Sequence, residues 1–248
     1  MVKGLDTFRK YFADYEEQYV LIGGVACDIL FESNEMSFRA TRDLDMVLII
    51  EALTPEFGEK FWKFIVDGKY RNKATNGSNP QFYRFDKPED DNFPKMIELF
   101  CRSDFKLKNA KGITPIHIDD EVSSLSAILL NDDYYKALLN GKEVRNGLSV
   151  LRPEYIILFK AKAYLDLQKR KDSGGKVDFS DIKKHKKDVL RIASELMLEK
   201  VEELPIAVDA DIHSFIDLLE QEPFDQNSLK RYGLKNENVV ELLKRVFG

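Results

Sequence analysis

Two aspartates, Asp43 and Asp45, stand two residues apart at the start of an apolar segment, Met46–Ile50. Side chains alternate across a β-strand, so both carboxylates would point to one face, with their Cα atoms roughly 6.5–7 Å apart. That spacing suits a pair of divalent cations about 3.5–4 Å apart, the arrangement used for in-line displacement at phosphorus. Because Mg²⁺ prefers carboxylate oxygens and retained waters, the two aspartates predict a site for two magnesium ions.

A glycine pair, Gly23-Gly24, lies upstream between an apolar run, Tyr19–Ile22, and an amphipathic segment, Val25–Phe31. Glycines at a strand-to-helix turn let the backbone bend tightly and bring bare N–H groups of a helix N-terminus close to a phosphate. A polar loop, Glu32–Arg42, then leads to the two aspartates. The order strand, glycine turn, helix, loop and strand predicts a phosphate-binding turn next to the metal ligands.

This combination, with Arg39-Ala40-Thr41-Arg42 preceding the aspartates, resembles the signature of the polymerase-β-type nucleotidyltransferase superfamily. Within that superfamily the chain is most similar to the AbiEii-like nucleotidyltransferases, which are toxin components of bacterial toxin–antitoxin and phage-abortive systems. The resemblance implies Mg²⁺-dependent transfer of a nucleotidyl group from an NTP, with Asp43 and Asp45 as catalytic metal ligands. The residues that it assigns to the nucleotide in this segment are Gly23, Gly24, Arg39, Thr41 and Arg42.

A third acidic residue, Glu98, stands between Ile97 and Leu99 in a compact predicted strand, Lys95–Cys101. An unpaired buried charge is costly, so Glu98 either points to solvent, pairs with an arginine, or faces the two aspartates. The resemblance implies the last of these, because members of the superfamily commonly carry a third acid on a neighbouring strand. Glu98 is then a catalytic residue and metal ligand, with Asp104 as the alternative position.

Two lysines, Lys160 and Lys162, lie among apolar residues in the strongest predicted helix, Glu154–Lys171. Such lysines either extend their ammonium groups to solvent or bind an anion. AbiEii-like proteins carry a helical lysine in a K-x-x-A context followed by an arginine, and Lys160–Ala163 with Arg170 resembles that motif. The resemblance implies that Lys160 is catalytic and contacts the triphosphate, with Lys162 as the alternative register.

A basic run, Lys183–Lys187, lies in the segment Ser180–Asp188. It is typical of a solvated helix face, but the segment also resembles the final family motif, R-D-x-x-D. One register uses Asp181, and the other, which we favour, reads His185-x-x-Asp188 with Lys184 or His185 in place of the arginine. The nucleotide-binding residues implied in this segment are Lys184, His185 and Asp188. The following apolar residues predict a helix over Val189–Leu198.

The composition is that of an ordinary globular protein, with 44% hydrophobic and 33% charged residues in 248. No apolar run approaches the ~18 residues of a membrane span, and the N-terminus has no signal-peptide core. Cys27 and Cys101 form no metal or redox motif, which predicts buried free thiols and a cytoplasmic location.

The net charge of −5 argues against a generic nucleic-acid binder held by a basic surface. The three histidines, His117, His185 and His213, lack zinc-ligand spacing. A Walker A motif and a G-x-S-x-G nucleophile elbow are both absent from the sequence.

The order of elements predicts a mixed α/β (α+β) chain in two domains. Residues 1–151 form a nucleotidyltransferase-fold mixed sheet with flanking helices, and residues 152–248 form a helical C-terminal bundle. Leu5–Glu17 is predicted as a packing helix and Ile113–Ile118 as a strand. Two ambiguous apolar runs, Leu125–Leu130 and Leu148–Leu151, are interpreted as strands.

Three functions are compatible with this pattern. The first is a nucleotidyltransferase acting on tRNA or another RNA, which the basic run Lys183–Lys187 favours because phosphate contacts dominate RNA affinity. The second is a small-molecule, aminoglycoside-type nucleotidyltransferase, which the negative net charge favours. The third is a non-catalytic binding protein that retains the fold. The family further implies an antitoxin protein as a partner.

Overall fold

The structure, a computed structural model, describes residues 2–38, 41, 43–72, 82–100, 128–129 and 131–248. Contacts between Cα atoms divide them into two compact units. The sheet unit comprises the described residues of Met1–Ile118 together with Lys142–Leu151, and the helical unit comprises those of Asp119–Gly141 and Arg152–Gly248. None of the described helices is long and apolar enough to cross a membrane.

The sheet unit is built on a seven-stranded mixed sheet of order β3-β4-β5-β2-β1-β7-β6. Its strands are β1 (Tyr19–Ile22), β2 (Asp43–Leu48), β3 (Arg71–Asn72), β4 (Phe82–Asp86), β5 (Met96–Phe100), β6 (Lys142–Arg145) and β7 (Leu148–Leu151). Its described helices are α1 (Leu5–Phe12), α2 (Gly23–Glu32) and α3 (Pro55–Asp67). Strand β2 lies at the centre, antiparallel to β1 and parallel to β5.

The central strand β2 has one apolar face and one acidic face. Leu44 and Met46 are fully buried, whereas Asp43 and Asp45 alternate with them and are half-buried. This is the period-two pattern that the sequence predicts, so both aspartates lie on one face of β2.

Aromatic packing holds α1 and α3 against β1. Phe12 on α1 lies 5.4 Å from Phe64 on α3, and Phe8 lies 5.5 Å from Tyr19 on β1, measured between ring centroids. Helix α3 begins where the Thr54 hydroxyl accepts the backbone N–H of Phe57. Because β1 pairs directly with β2, these buried rings also fix the strand that carries the aspartates.

The helical unit contains six described helices. They are α4 (Asp132–Gly141), α5 (Pro153–Asp172), α6 (Phe179–Glu195), α7 (Ile206–Gln221), α8 (Gln226–Arg231) and α9 (Asn236–Phe247). Helix α5 starts with proline, which suits the backbone geometry of a first turn, and has three basic residues in its last turn, which suit the helix dipole there.

Helix α4 is tied to α7 by two hydrogen bonds. The Asp133 carboxylate accepts the backbone N–H of Ala207 at 2.9 Å, and the Tyr134 hydroxyl donates to Asp211 at 3.0 Å. The contacts therefore group α4 with the helices, although it precedes β6 and β7 in the chain. The division at residues 151 and 152 stays a prediction from the sequence.

The predicted mixed α/β class with a helical bundle is confirmed, but several elements differ from the sequence interpretation. The helix predicted over Leu5–Glu17 ends at Phe12, because Asp14 takes a left-handed conformation with φ 72°. The strand interpretation of Leu125–Leu130 is wrong where the run is described, since Ile128 and Leu129 are helical. Periodicity cannot separate strand from helix in such a short apolar run.

Two further differences concern the second half of the chain. Helix α6 begins at Phe179, well before the predicted Val189–Leu198, because the Asp178 side chain accepts the backbone N–H of Ser180. Strand β6 was not predicted, and it forms a hairpin with β7. The turn is Asn146-Gly147, where both residues have positive φ.

Glu154, at the start of α5, is a buried carboxyl group of the helical unit. Its Oε1 accepts the backbone N–H of Glu199 at 2.6 Å, while Oε2 has no hydrogen-bond partner among the described residues. Burial raises the pKa of Glu154 above 4.5, and that hydrogen bond acts in the opposite direction. The Glu154 carboxyl group therefore binds its proton more tightly in the folded chain than in the unfolded chain. The resulting stabilisation is present at low pH and is lost as pH rises through the raised pKa.

Glutamine is uncharged at every pH, so we expect Glu154→Gln to remove the loss of stability that accompanies rising pH. The variant should be more stable than the parent at neutral pH and should show a flatter dependence of unfolding free energy on pH. Urea unfolding midpoints measured from acid to neutral pH test this, with the exposed Glu203→Gln as the matched control. A parent-like pH dependence in Glu154→Gln would contradict the expected role of burial.

Candidate active site

Three carboxyl groups come together on β2 and β5. The parallel register places Glu98 directly beside Asp45, so their side chains share one face of the sheet. Glu98 is buried, and its side chain lies close enough to Asp45 for a hydrogen bond between them to act on the pKa of Glu98. The negative charge of Asp43 also acts on Glu98. The predicted meeting of Glu98 with the two aspartates is thus present in the geometry.

Arg84 on β4 is the charged partner of Glu98. Its Nη2 and Nε lie 2.6 and 2.8 Å from Glu98 Oε1, and the two residues are directly opposite in the antiparallel register. Burial raises the pKa of Glu98, whereas the charge and hydrogen bonds of Arg84 lower it. Glu98 therefore satisfies two of the sequence alternatives at once, because it pairs with an arginine and also faces the aspartates.

Gly23 brings the start of α2 against Asp45. It has φ +64°, and a Cβ atom there would lie 2.2 Å from Asp45 Oδ2. Gly24 is similarly close to Thr41, whose hydroxyl oxygen would lie 2.7 Å from an added Cβ atom. Both positions therefore require glycine, for lack of space and, at Gly23, for the left-handed backbone.

The first turn of α2 has no side-chain cap and no acidic residue. The first backbone N–H groups of a helix lack partners within the helix, and the helix dipole is positive at that end. Beside Gly23 and Gly24 no Cβ atom shields the backbone. This end of α2 can therefore accept a phosphate group next to the carboxylates of β2.

The carboxylates of this site can be compared with the ligands that the predicted magnesium ions require. Among the described residues, no group of three His, Cys, Asp or Glu side chains has an arrangement that could hold a metal ion by itself. Mg²⁺ is commonly held by one or two carboxylates, with waters and substrate phosphates completing its shell. Asp43 and Asp45 fit that requirement, whereas Glu98 is already paired with Arg84.

In the helical unit, Lys160 and Asp188 form a buried ion pair. The Lys160 Nζ atom lies 3.0 Å from Asp188 Oδ2, with only 11% and 5% of the two side chains exposed. Helices α5 and α6 pack side by side. The ion pair therefore joins the predicted lysine motif on α5 to the predicted final motif on α6. His185 is also buried on α6, and Lys184 is half-buried.

Lys162 points to a different set of partners. Its Nζ atom lies 3.1 Å from Asp166 and 3.2 Å from Asp211, and it lies over the Tyr134 ring. Burial would lower the pKa of Lys162, but the hydrogen bonds and charges of the two aspartates raise it. Lys162 therefore connects α5 to α7, and Lys160 is the lysine that meets Asp188.

Several predicted residues lie outside the described part of the chain. These are Arg39, Arg42, Asp104, Cys101 and the strand Ile113–Ile118. Cys27 is a buried thiol, as predicted. The sequence interpretation did not identify Arg84, and its only signal is a charged residue within an aromatic run, Phe82–Phe85, that precedes Glu98.

No protein-family model matches the chain, and no curated protein matches its sequence. A solved structure to which the chain is similar is that of an antigenic nucleotidyltransferase-like protein from Paracoccidioides brasiliensis. The TM-score is 0.48 at 14% sequence identity, over 99% of this chain and 95% of that chain. Values this low do not transfer the name or the activity of that protein to this chain.

Proposed function

We propose that this chain is a Mg²⁺-dependent nucleotidyltransferase of the AbiEii-like kind, which transfers a nucleotidyl group from an NTP to an acceptor. The observation that carries the proposal is the contact between Gly23 and Asp45. It places an uncapped helix N-terminus, which suits a phosphate, directly against an Asp-x-Asp pair, which suits a cation. A triphosphate with bound Mg²⁺ presents both kinds of charge together.

Seven residues of the sheet unit have a role in this proposal. The backbone N–H groups at Gly23 and Gly24 bind the triphosphate, and Thr41 lies beside them. Asp43 and Asp45 hold Mg²⁺, which when bound stabilises charge on the phosphates and lowers the pKa of the acceptor hydroxyl. Glu98 hydrogen-bonds with Asp45, and Arg84 fixes the Glu98 carboxyl, so this pair orients a metal ligand.

In the helical unit, the sequence resemblance alone gives Lys160 a role, which is to neutralise charge on the departing pyrophosphate. Lys184, His185 and Asp188 belong to the same proposed nucleotide-binding set, with Asp188 positioning Lys160 through their 3.0 Å ion pair. Lys162, already shared by two aspartates, is the weaker choice for this role. The acceptor is tRNA or another RNA, and an antitoxin protein is the proposed partner.

A transfer assay tests this function. The protein is incubated with each radiolabelled NTP, Mg²⁺ and total cellular RNA, and the RNA is then separated by size. We expect label from one or more NTPs in a distinct RNA species, and none when EDTA replaces Mg²⁺. Label on an aminoglycoside-type small molecule and not on RNA would support the small-molecule alternative.

A second candidate is a non-catalytic protein that retains the fold. The ion pair between Glu98 and Arg84 favours it, because a carboxylate already neutralised by arginine is a poor third ligand for a metal. This candidate predicts that no labelled product forms with any NTP and that Mg²⁺ leaves the thermal midpoint unchanged.

A further inference from the structure

A cavity of about 600 Å³ lies within the helical unit, between α5, α6 and the segment leading into α8. Its volume falls in the range of roughly 300–1,000 Å³ that is usual for small-molecule sites. Four lysines line it: Lys171, Lys183, Lys186 and Lys187. None of them belongs to the set that the sequence resemblance assigns to the nucleotide.

The helical period divides the basic run of α6 into two faces. Phe179, Lys186 and Lys187 are each three or four residues from Lys183, and all four residues line the cavity. His185 and Asp188 are buried on α6 and do not line it. The chain has a net charge of −5, so this cluster of positive charge is a local feature of the helical unit and not a general property of the chain.

Phe179 supplies an accessible aromatic surface in this cavity. Half of the residue is exposed. The ammonium groups of Lys171 and Lys183 lie over its ring, 4.4 and 4.3 Å from the ring centre, so a base that stacks there must displace them towards its own phosphates. Both lysines contact the ring and neither forms an ion pair with a described residue, so no carboxylate competes with an anion for their charges.

Two carboxylates also line the cavity, and both have partners. Asp225 accepts the backbone N–H and the hydroxyl of Ser228 at 2.9 and 2.8 Å, which caps α8. The Tyr164 hydroxyl donates to Glu222 at 3.5 Å. Four lysines against two carboxylates leave the cavity positive. Burial lowers the pKa of Lys186, so an anion beside it would favour its charged form.

We propose that this cavity binds a base-and-phosphate unit of single-stranded RNA. The ring of Phe179 stacks on the base, and the surrounding lysines bind the phosphates on either side of it. Sequence-tolerant binding of single strands uses this combination of an aromatic side chain and a positive groove. A duplex fits poorly, because its bases are stacked inside the helix and cannot reach a ring within a cavity.

The inference rests on the proposed function only for the choice of RNA, the proposed acceptor class. Binding at this cavity requires neither NTP nor Mg²⁺, so it can be measured in EDTA. RNA binding without nucleotidyl transfer would overturn the proposed function and leave this site standing. If RNA is labelled but the cavity variants bind it like the parent, the proposed function stands and this binding site is overturned.

The test is fluorescence anisotropy of a labelled single-stranded oligoadenylate titrated with the full chain in EDTA. We expect Phe179→Ala to weaken binding about tenfold, a typical loss for one stacked base. We expect Lys183→Gln to reduce the slope of log affinity against log salt concentration by about 0.7, the value for one phosphate contact on a single strand. The exposed residues Met197 and Lys200 supply the matched controls, and Met197→Ala and Lys200→Gln should bind like the parent.

Thermal midpoints establish that each variant is folded, and Phe179→Leu provides a second variant that retains an apolar side chain. Parent-like affinity in both Phe179 variants would overturn the proposal. Equal affinity for duplex RNA or for heparin, a polyanion without aromatic rings, would overturn it as well. Preference for the single strand, lost in the Phe179 variants and kept in the controls, is the expected result.

Discussion

Asp45→Asn should abolish nucleotidyl transfer, with a loss of about 10³-fold or more, equivalent to about 4 kcal/mol of transition-state stabilisation. Asparagine has almost the same size as aspartate, so it can occupy the space beside Gly23. It removes the negative charge that a divalent cation requires. The loss should therefore be chemical and not a consequence of misfolding.

The same substitution should leave the metal-free protein no less stable than the parent. Asp43, Asp45 and Glu98 bring three acidic groups to one face of the sheet, and like charges at this distance repel each other. Asparagine relieves part of this repulsion, and its amide can still donate a hydrogen bond to Glu98. Mg²⁺ or Mn²⁺ should raise the thermal midpoint of the parent and not that of the variant.

Thermal unfolding with and without Mg²⁺, measured beside the transfer assay, separates catalytic from structural carboxylates. Asp6→Asn, which changes an exposed carboxylate of the same unit, is the control and should keep the metal response and the activity. A variant that is destabilised without metal, together with a parent that ignores metal, would show that Asp45 serves the fold. That outcome would favour the non-catalytic candidate.

The placement of the aspartates could be predicted because it depends on local pattern alone. Alternation of Leu44 and Met46 with Asp43 and Asp45 defines a half-buried strand and its faces without knowledge of any neighbour. The glycine pair before an apolar helical segment is equally local. Such signals predicted β1, α2 and β2, which carry the glycine turn and the aspartates of the candidate site.

Arg84 could not be predicted in the same way, because its contact with Glu98 depends on how β4 and β5 are paired. Strand register is set by turns and by the buried face together, and a shift by one residue would send Arg84 to the other face of the sheet. The β6–β7 hairpin, in contrast, could have been predicted from the residues of its turn. Asn146-Gly147 favours a two-residue turn with positive φ at both positions.

The positions of the lysines on α6 depended on where that helix begins. The start at Phe179 is set by the Asp178 cap, which follows the flexible-looking Gly174-Gly175 pair. With the helix begun there, periodicity alone separates Lys183 and Lys187 from the buried Asp188. The partner of Asp188 is a tertiary contact with α5, which no local pattern contains.

Lys160→Met should destabilise the chain by about 3–5 kcal/mol, because removal of one member of a buried ion pair leaves the other charge without that partner. Lys160 and Asp188 are almost fully buried at 3.0 Å from each other. Lys162→Met is the matched control, because Lys162 is two residues away on the same helix but more exposed, so its ion pairs contribute less. Urea unfolding of both variants measures the difference.

The double variant Lys160→Met with Asp188→Leu separates the structural role of Lys160 from its proposed chemical role. Apolar residues of similar volume commonly replace a buried ion pair without loss of stability, so the double variant should recover most of the unfolding free energy. If Lys160 also neutralises charge on the departing pyrophosphate, the recovered protein should still transfer nucleotide about 10²-fold more slowly than the parent. Parent-like transfer by a stable double variant would contradict the catalytic role and would assign Lys160 to the packing of α5 against α6.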